Sequence, residues 1–180
     1  MSKAQFVDTR DLEKVLTLLT PVNERVCRVC LATGLRISDV LSLTVEQLRK
    51  KQFTIQEKKT GKRRVVRIPL ALRSDVLAHA GTVFCFPHRY NGRLPRTRWA
   101  VYKDLKRADR VLSIGLNVTP HSMRKVYAVN EFQKDGDLSR VRKLLNHSSD
   151  AVTMLYALAD KYAKRKKKKQ QKGIDILHIV

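Results

Sequence analysis

Apolar residues recur at helical spacing from the start of the chain. Leu12, Val15, Leu16 and Leu19 form one stripe and predict a helix from about Thr9 to Leu19, capped by Asp8 or Thr9. Pro21 suits the first position of a second helix, which carries Val22, Val26 and Val29 and stops at Gly34. A third, short helix is expected over roughly Ser38–Leu43. The period then changes. "QFTIQE" and "RVVRIPL" have the β-branched, partly alternating look of strands, and "KKTGK" joins them as a hairpin with a basic tip. Helical spacing returns after Pro69 and lasts until Gly81, and "TVFCF" can form one more short strand. Val101, Leu105, Ala108 and Leu112 mark a helix between Thr97 and Gly115. Thr119 is expected to cap a helix that starts at Pro120, carries His121 and Arg124, and ends at Gly136. "DLSRVRKLL" adds a short helix. In "LLNHSSDAVTMLYAL", Ser148 or Ser149 can cap a last one, with Ala151, Met154, Leu155 and Leu158 facing inward. No internal repeat or linker divides residues 1–160, so one domain is expected there.

Charge changes the picture. Thirty-eight Lys and Arg against sixteen Asp and Glu give the 180 residues a formal net charge of +22. Self-repulsion of that size is best tolerated when a polyanion is the working partner, so nucleic acid is the first hypothesis and an anionic membrane surface the second. No run approaches the roughly 18 apolar residues of a spanning helix, and no signal peptide is visible. Charge alone leaves an RNA-binding scaffold open. The cysteines are Cys27, Cys30 and Cys85; "CRVC" resembles half of a metal site, but no second half accompanies it. Free, at least partly buried thiols are expected, which suits a reducing cytosol.

The residues with chemical potential fall in a fixed order. "ATGLRISDVLSL" presents Arg36, "KKTGK" presents Lys59, and "TPHSMRK" presents His121 and Arg124. "NHSS" then presents His147, and Tyr156 follows nine residues later. Singly, each reads as a surface charge, a cap or a core residue. Together they resemble the catalytic domain of the tyrosine recombinases, the phage-integrase family. The resemblance runs from about Arg10 to Ala159. Asn146 stands where that family usually has Gly, Asp39 replaces the commoner Glu, and Lys125 follows Arg124 where a His is frequent. None of these removes a reacting group. Only a few residues precede the catalytic part, where most members carry a DNA-clamping domain; the short recombinases that invert fimbrial promoter segments are similar in this.

The resemblance implies a mainly α fold with a small antiparallel sheet at one edge (α+β), and a basic concave face for double-stranded DNA. It implies a site-specific recombinase that cleaves and rejoins DNA through a 3′-phosphotyrosine, with no cofactor and no metal. Tyr156 would be the nucleophile, and Arg36 and Arg124 would hold the phosphate with planar forks. Lys59 would be the general acid, with Lys62 on the same turn as second choice. His121 would do acid–base and positioning work, and His147 would hydrogen-bond the phosphate. Tyr162 is the competing phenol, at the wrong spacing from His147. Partners would be DNA, further copies of the chain as a dimer or tetramer, and an accessory DNA-binding protein in place of the clamp. A cytoplasmic bacterial, phage or mobile-element setting follows, with no membrane. Residues 161–180 join a basic run to an apolar end and read as a tail. That end can dock on a neighbouring subunit, dock back on its own, or stay solvated. The alternatives are a type IB topoisomerase-like nicking–closing enzyme and a non-catalytic DNA-binding regulator with this fold. Target sequence, and integration as against excision, inversion or resolution, are not legible in the chain.

Overall fold

The computed structural model describes residues 7, 9–113, 115 and 117–145. The chain divides into two compact units, Met1–Tyr127 and Ala128–Val180. The first holds α1 (Thr9–Thr17), α2 (Pro21–Thr33), α3 (Ile37–Leu41), α4 (Val45–Arg49), β1 (Phe53–Gln56), β2 (Arg63–Val66), α5 (Leu70–Ala78) and α6 (Arg98–Leu112). α7 (Pro120–Asp135) begins in the first unit and ends in the second, where α8 (Leu138–Leu144) follows. The fold is mostly helical with one two-stranded antiparallel sheet, as the sequence led us to expect.

The core of the first unit gathers the stripes that the helical period marks. Leu12, Val15 and Leu16 of α1, Val26, Cys27, Val29 and Cys30 of α2, and Val101, Leu105 and Ala108 of α6 are all buried. Full burial of one such aliphatic side chain is worth about 1.5–3 kcal/mol, which is why these helices hold their faces inward. The three thiols are free and buried, and burial raises their pKa, to about 12 for Cys30 and Cys85. Thiols so protonated are poor nucleophiles and poor ligands.

A second, polar tie fixes α6. Asp104 Oδ2 accepts from Thr20 N and Oγ1, both at 2.8 Å, and from Asn23 Nδ2 at 2.7 Å. Arg107 Nη2 donates to Asp104 Oδ1 at 2.7 Å, and Arg96 Nε donates to Asn23 Oδ1 at 2.6 Å. One carboxylate thus holds the α1–α2 turn against α6.

Several elements differ from expectation. "TVFCF" is no strand: Phe84 forms a lone bridge with Thr44, because its partner segment turns into α4 at Val45 and Pro87 follows closely. β2 stops at Val66 because β1 supplies only four partners, from Phe53↔Val66 to Gln56↔Arg63. α4 was not foreseen; Thr44 and Gln47 close a capping box around its first turn. Thr119 does not cap α7 with its hydroxyl, which is buried without a hydrogen-bond partner among the described residues. Instead its backbone N–H donates to Ser122 Oγ at 3.1 Å.

Candidate active site

Gly34 ends α2 in the left-handed region, φ +63°, and its N–H donates to Cys30 O at 2.8 Å. The reversal sends Leu35 into the core and leaves Arg36 at the N-cap of α3. The Arg36 side chain is only 11% exposed, and its Nη1 donates to Glu57 Oε2 at 2.5 Å. Glu57 follows β1 and is fully buried. Thr60 Oγ1 donates to the same carboxylate oxygen at 2.9 Å. Across the hairpin, Arg64 of β2 donates from Nη2 to Thr33 O at 2.5 Å, and its Nη1 lies 3.8 Å from Glu57 Oε1. Arg124 of α7 donates from Nη1 to Gly34 O. Consecutive carbonyls at the C-terminal end of α2 therefore each accept from a guanidinium, at the end of the helix dipole that favours positive charge.

Asp39 of α3 completes the cluster. It is buried, and its Oδ1 accepts from Lys58 N at 3.0 Å. Its Oδ2 is buried without a hydrogen-bond partner among the described residues. Burial pulls the Arg124 pKa down, the charges of Arg36 and Arg64 push the same way, and Glu57 and Asp39 oppose them; the result is about 10. Arg124 therefore stays cationic at neutral pH. Three guanidiniums thus gather around two carboxylates, with Arg124, Glu57 and Asp39 buried and Arg36 and Arg64 partly so. A phosphodiester carries one negative charge. Forked guanidiniums bind its oxygens in charge-assisted bonds, so the arrangement can hold one such group and stabilise charge gathering on it.

The hairpin loop spans 57–62. Gly61 supplies the φ of +66° that the turn requires, its N–H donates to Glu57 O at 2.8 Å, and Glu57 N–H donates to Lys62 O at 3.0 Å. Lys59 and Lys62 are both exposed on this loop. His121 is exposed on the first turn of α7, while Arg124 is buried. Of the residues singled out in the sequence, the structure brings Arg36 and Arg124 into one cluster. It sets Lys59 on the adjoining loop. His147, Tyr156 and its competitor Tyr162 lie outside the described residues, as does the tail. Among the described residues no group of three or more His, Cys, Asp or Glu could hold a metal ion, and no helix is long and apolar enough to cross a membrane.

Sequence reasoning missed Glu57 and Arg64. Glu57 is the sole acid between Glu46 and Asp75, in a strongly basic stretch, and that isolation was the available signal. Arg64 gave none, being one of two adjacent arginines on its strand.

The comparisons with known proteins agree with one another. Residues 5–162 match the model of the phage integrase family. The tyrosine recombinase XerA of Pyrococcus furiosus is 28% identical over 135 residues, covering 69% of this chain and 46% of that protein. The probable integrase/recombinase YoeC of Bacillus subtilis is 28% identical over 128 residues, covering 69% of this chain and 70% of YoeC. The chain thus spans about half of one curated relative and most of another. Among solved structures, the catalytic domain of bacteriophage HP1 integrase superposes with a TM-score of 0.61 at 25% identity, over 87% of this chain and 89% of that domain.

Proposed function

We propose that this chain, which belongs to the phage integrase family, is a site-specific recombinase that cuts and rejoins duplex DNA through a 3′-phosphotyrosine. The observation that carries the reading is the largely buried cluster in which the guanidiniums of Arg36, Arg64 and Arg124 outnumber the carboxylates of Glu57 and Asp39 by one. In the proposed reaction Tyr156 Oη attacks the scissile phosphorus. A phenol–phosphorus bond forms as the bond to the 5′ oxygen breaks, so the phosphodiester energy is kept. The phenolic proton passes to His121, and the leaving 5′ oxygen takes a proton from Lys59, with Lys62 as the alternative donor. Arg36 and Arg124 hold the non-bridging oxygens, and His147 adds a hydrogen bond. A 5′ hydroxyl from another strand then attacks the phosphotyrosine and releases Tyr156.

Residues 1–160 form the catalytic domain in this reading, and 161–180 a basic tail. Exchange between two duplexes calls for a dimer or tetramer of the chain on DNA, with an accessory DNA-binding protein as clamp. The compartment is the cytoplasm of a bacterial or phage host. The target sequence need not be known for the test. The protein is incubated with a library of randomised, nicked duplexes, SDS-stable protein–DNA adducts are collected, and the attached DNA is sequenced. Wild type yields adducts sharing a sequence, and Tyr156→Phe yields none while still binding duplex. No adduct from wild type refutes the reading; adducts from the Phe variant move the nucleophile to Tyr162.

A further inference from the structure

We propose that Glu57 is a positioning residue of this site. Its buried carboxylate joins the phosphate-holding guanidinium of Arg36 to the hairpin loop that carries Lys59. This rests on the recombinase reading above and adds to it the part that couples two of its groups. A carboxylate buried without need is expensive, and a buried charge persists only where partners compensate it. Glu57 has two guanidiniums and a hydroxyl around it. Oε2 takes Arg36 Nη1 at 2.5 Å and Thr60 Oγ1 at 2.9 Å, and Oε1 faces Arg64 Nη1 at 3.8 Å. Its backbone closes the base of the loop through Lys62 O at 3.0 Å.

Both chain neighbours of Lys59 are tied to buried carboxylates. Thr60 is held by Glu57, and the Lys58 N–H by Asp39, itself on the helix that Arg36 caps. The exposed Lys59 side chain therefore stands on a backbone fixed relative to Arg36. Glu57 engages one nitrogen of the Arg36 fork and so sets the plane of the guanidinium, leaving its other edge for phosphate oxygens. Removing the Glu57 charge would also leave three guanidiniums opposed by Asp39 alone.

Glu57→Gln keeps the shape and loses the charge. We measure single-turnover adduct formation on a suicide duplex recovered from the library, with duplex affinity and thermal melting followed in parallel. Adduct formation is expected to slow about 10²-fold, the cost of a small misplacement at a reacting centre. Duplex affinity should hold or rise, since a negative charge has left a basic site. A parallel fall in rate and affinity would overturn the proposal, as would an unchanged rate.

Thr60→Val removes the hydroxyl tie between the loop beside Lys59 and the Glu57 carboxylate while leaving the backbone bonds and the Arg36 pair in place, and it carries the test should Glu57→Gln fail to fold. Its adduct formation should be slow on ordinary DNA and restored on a 5′-bridging phosphorothiolate, whose thiolate leaves without a proton. Glu57→Gln should be restored only in part, because the aim of Arg36 is lost as well. Thr60→Val at wild-type rate, or slow on both substrates, refutes the coupling. Absence of any wild-type adduct would fell the recombinase reading and this proposal together; a cleaving wild type with an equally fast Glu57→Gln fells only this one.

Discussion

A β-carbon built on Gly34 would stand 2.2 Å from Tyr127 Cδ1, and the residue's φ of +63° disfavours any side chain. Gly34 also lends its carbonyl to Arg124, so the same residue shapes the fold and the cluster. Gly34→Ala should therefore cost about 2–4 kcal/mol, adding left-handed backbone strain to overpacking against the ring. Urea melts of the two proteins check the stability. The variant's adduct yield should also fall, because the displaced carbonyl moves the Arg124 guanidinium. At this scale the sequence was partly readable. "TGLR" marked both the helix stop and the arginine beyond it, because a glycine at a helix end acts locally. Glu57 was hidden because its partner Arg36 lies 21 residues away. A glutamate at the base of a basic hairpin reads as solvated until the fold brings a guanidinium to it.

Between elements, Asp104 makes a polar joint between α6 and the α1–α2 turn. Burial pushes its carboxyl pKa up, but hydrogen bonds from Asn23, Thr20 and Arg107 outweigh that and hold it below the ordinary carboxylate value. A depressed folded pKa adds stability above the unfolded value of about 3.9 and loses it as pH falls through the folded pKa. Asp104→Asn should thus be less stable than wild type at pH 7, by about 1.5–3 kcal/mol for bonds to a charged acceptor. The gap should close progressively below about pH 4; paired urea melts at pH 7 and pH 3 measure it. A gap of the same size at both pH values would mean that shape, not charge, carries the joint. The long helices were legible because their apolar stripes repeat often enough to show a period. α4 was not, since five residues make too little of one, although Thr44 and Gln47 spelled its capping box. "TVFCF" misled because a β-rich run becomes a strand only where a straight partner lies beside it, and here the partner curls into α4.

For the whole molecule, the net charge of +22 sets how it would meet DNA in the proposed reading. Cation–phosphate contacts release counterions, so log K for duplex binding falls with log salt by about 0.9 for each phosphate neutralised. Eight basic residues and one acid lie in 161–180, so the remaining 160 residues carry +15. Both parts are basic enough to bind a polyanion, but they enter the reaction differently. In the proposed reaction the arginine cluster would engage one scissile phosphate, whereas a run such as "KRKKKK" can meet many phosphates and select none. Truncation after residue 160 separates the two. The salt slope of non-specific duplex binding, measured by anisotropy in varied NaCl, should become shallower, and the change divided by about 0.9 counts the phosphates that the tail neutralises. At low salt, where the tail's contribution is easily replaced by protein concentration, the truncated protein should still form the Tyr156 adduct. An unchanged slope would show that the tail's charges stay away from DNA, and loss of the adduct at saturating duplex would show that 161–180 serve the chemistry and not only affinity.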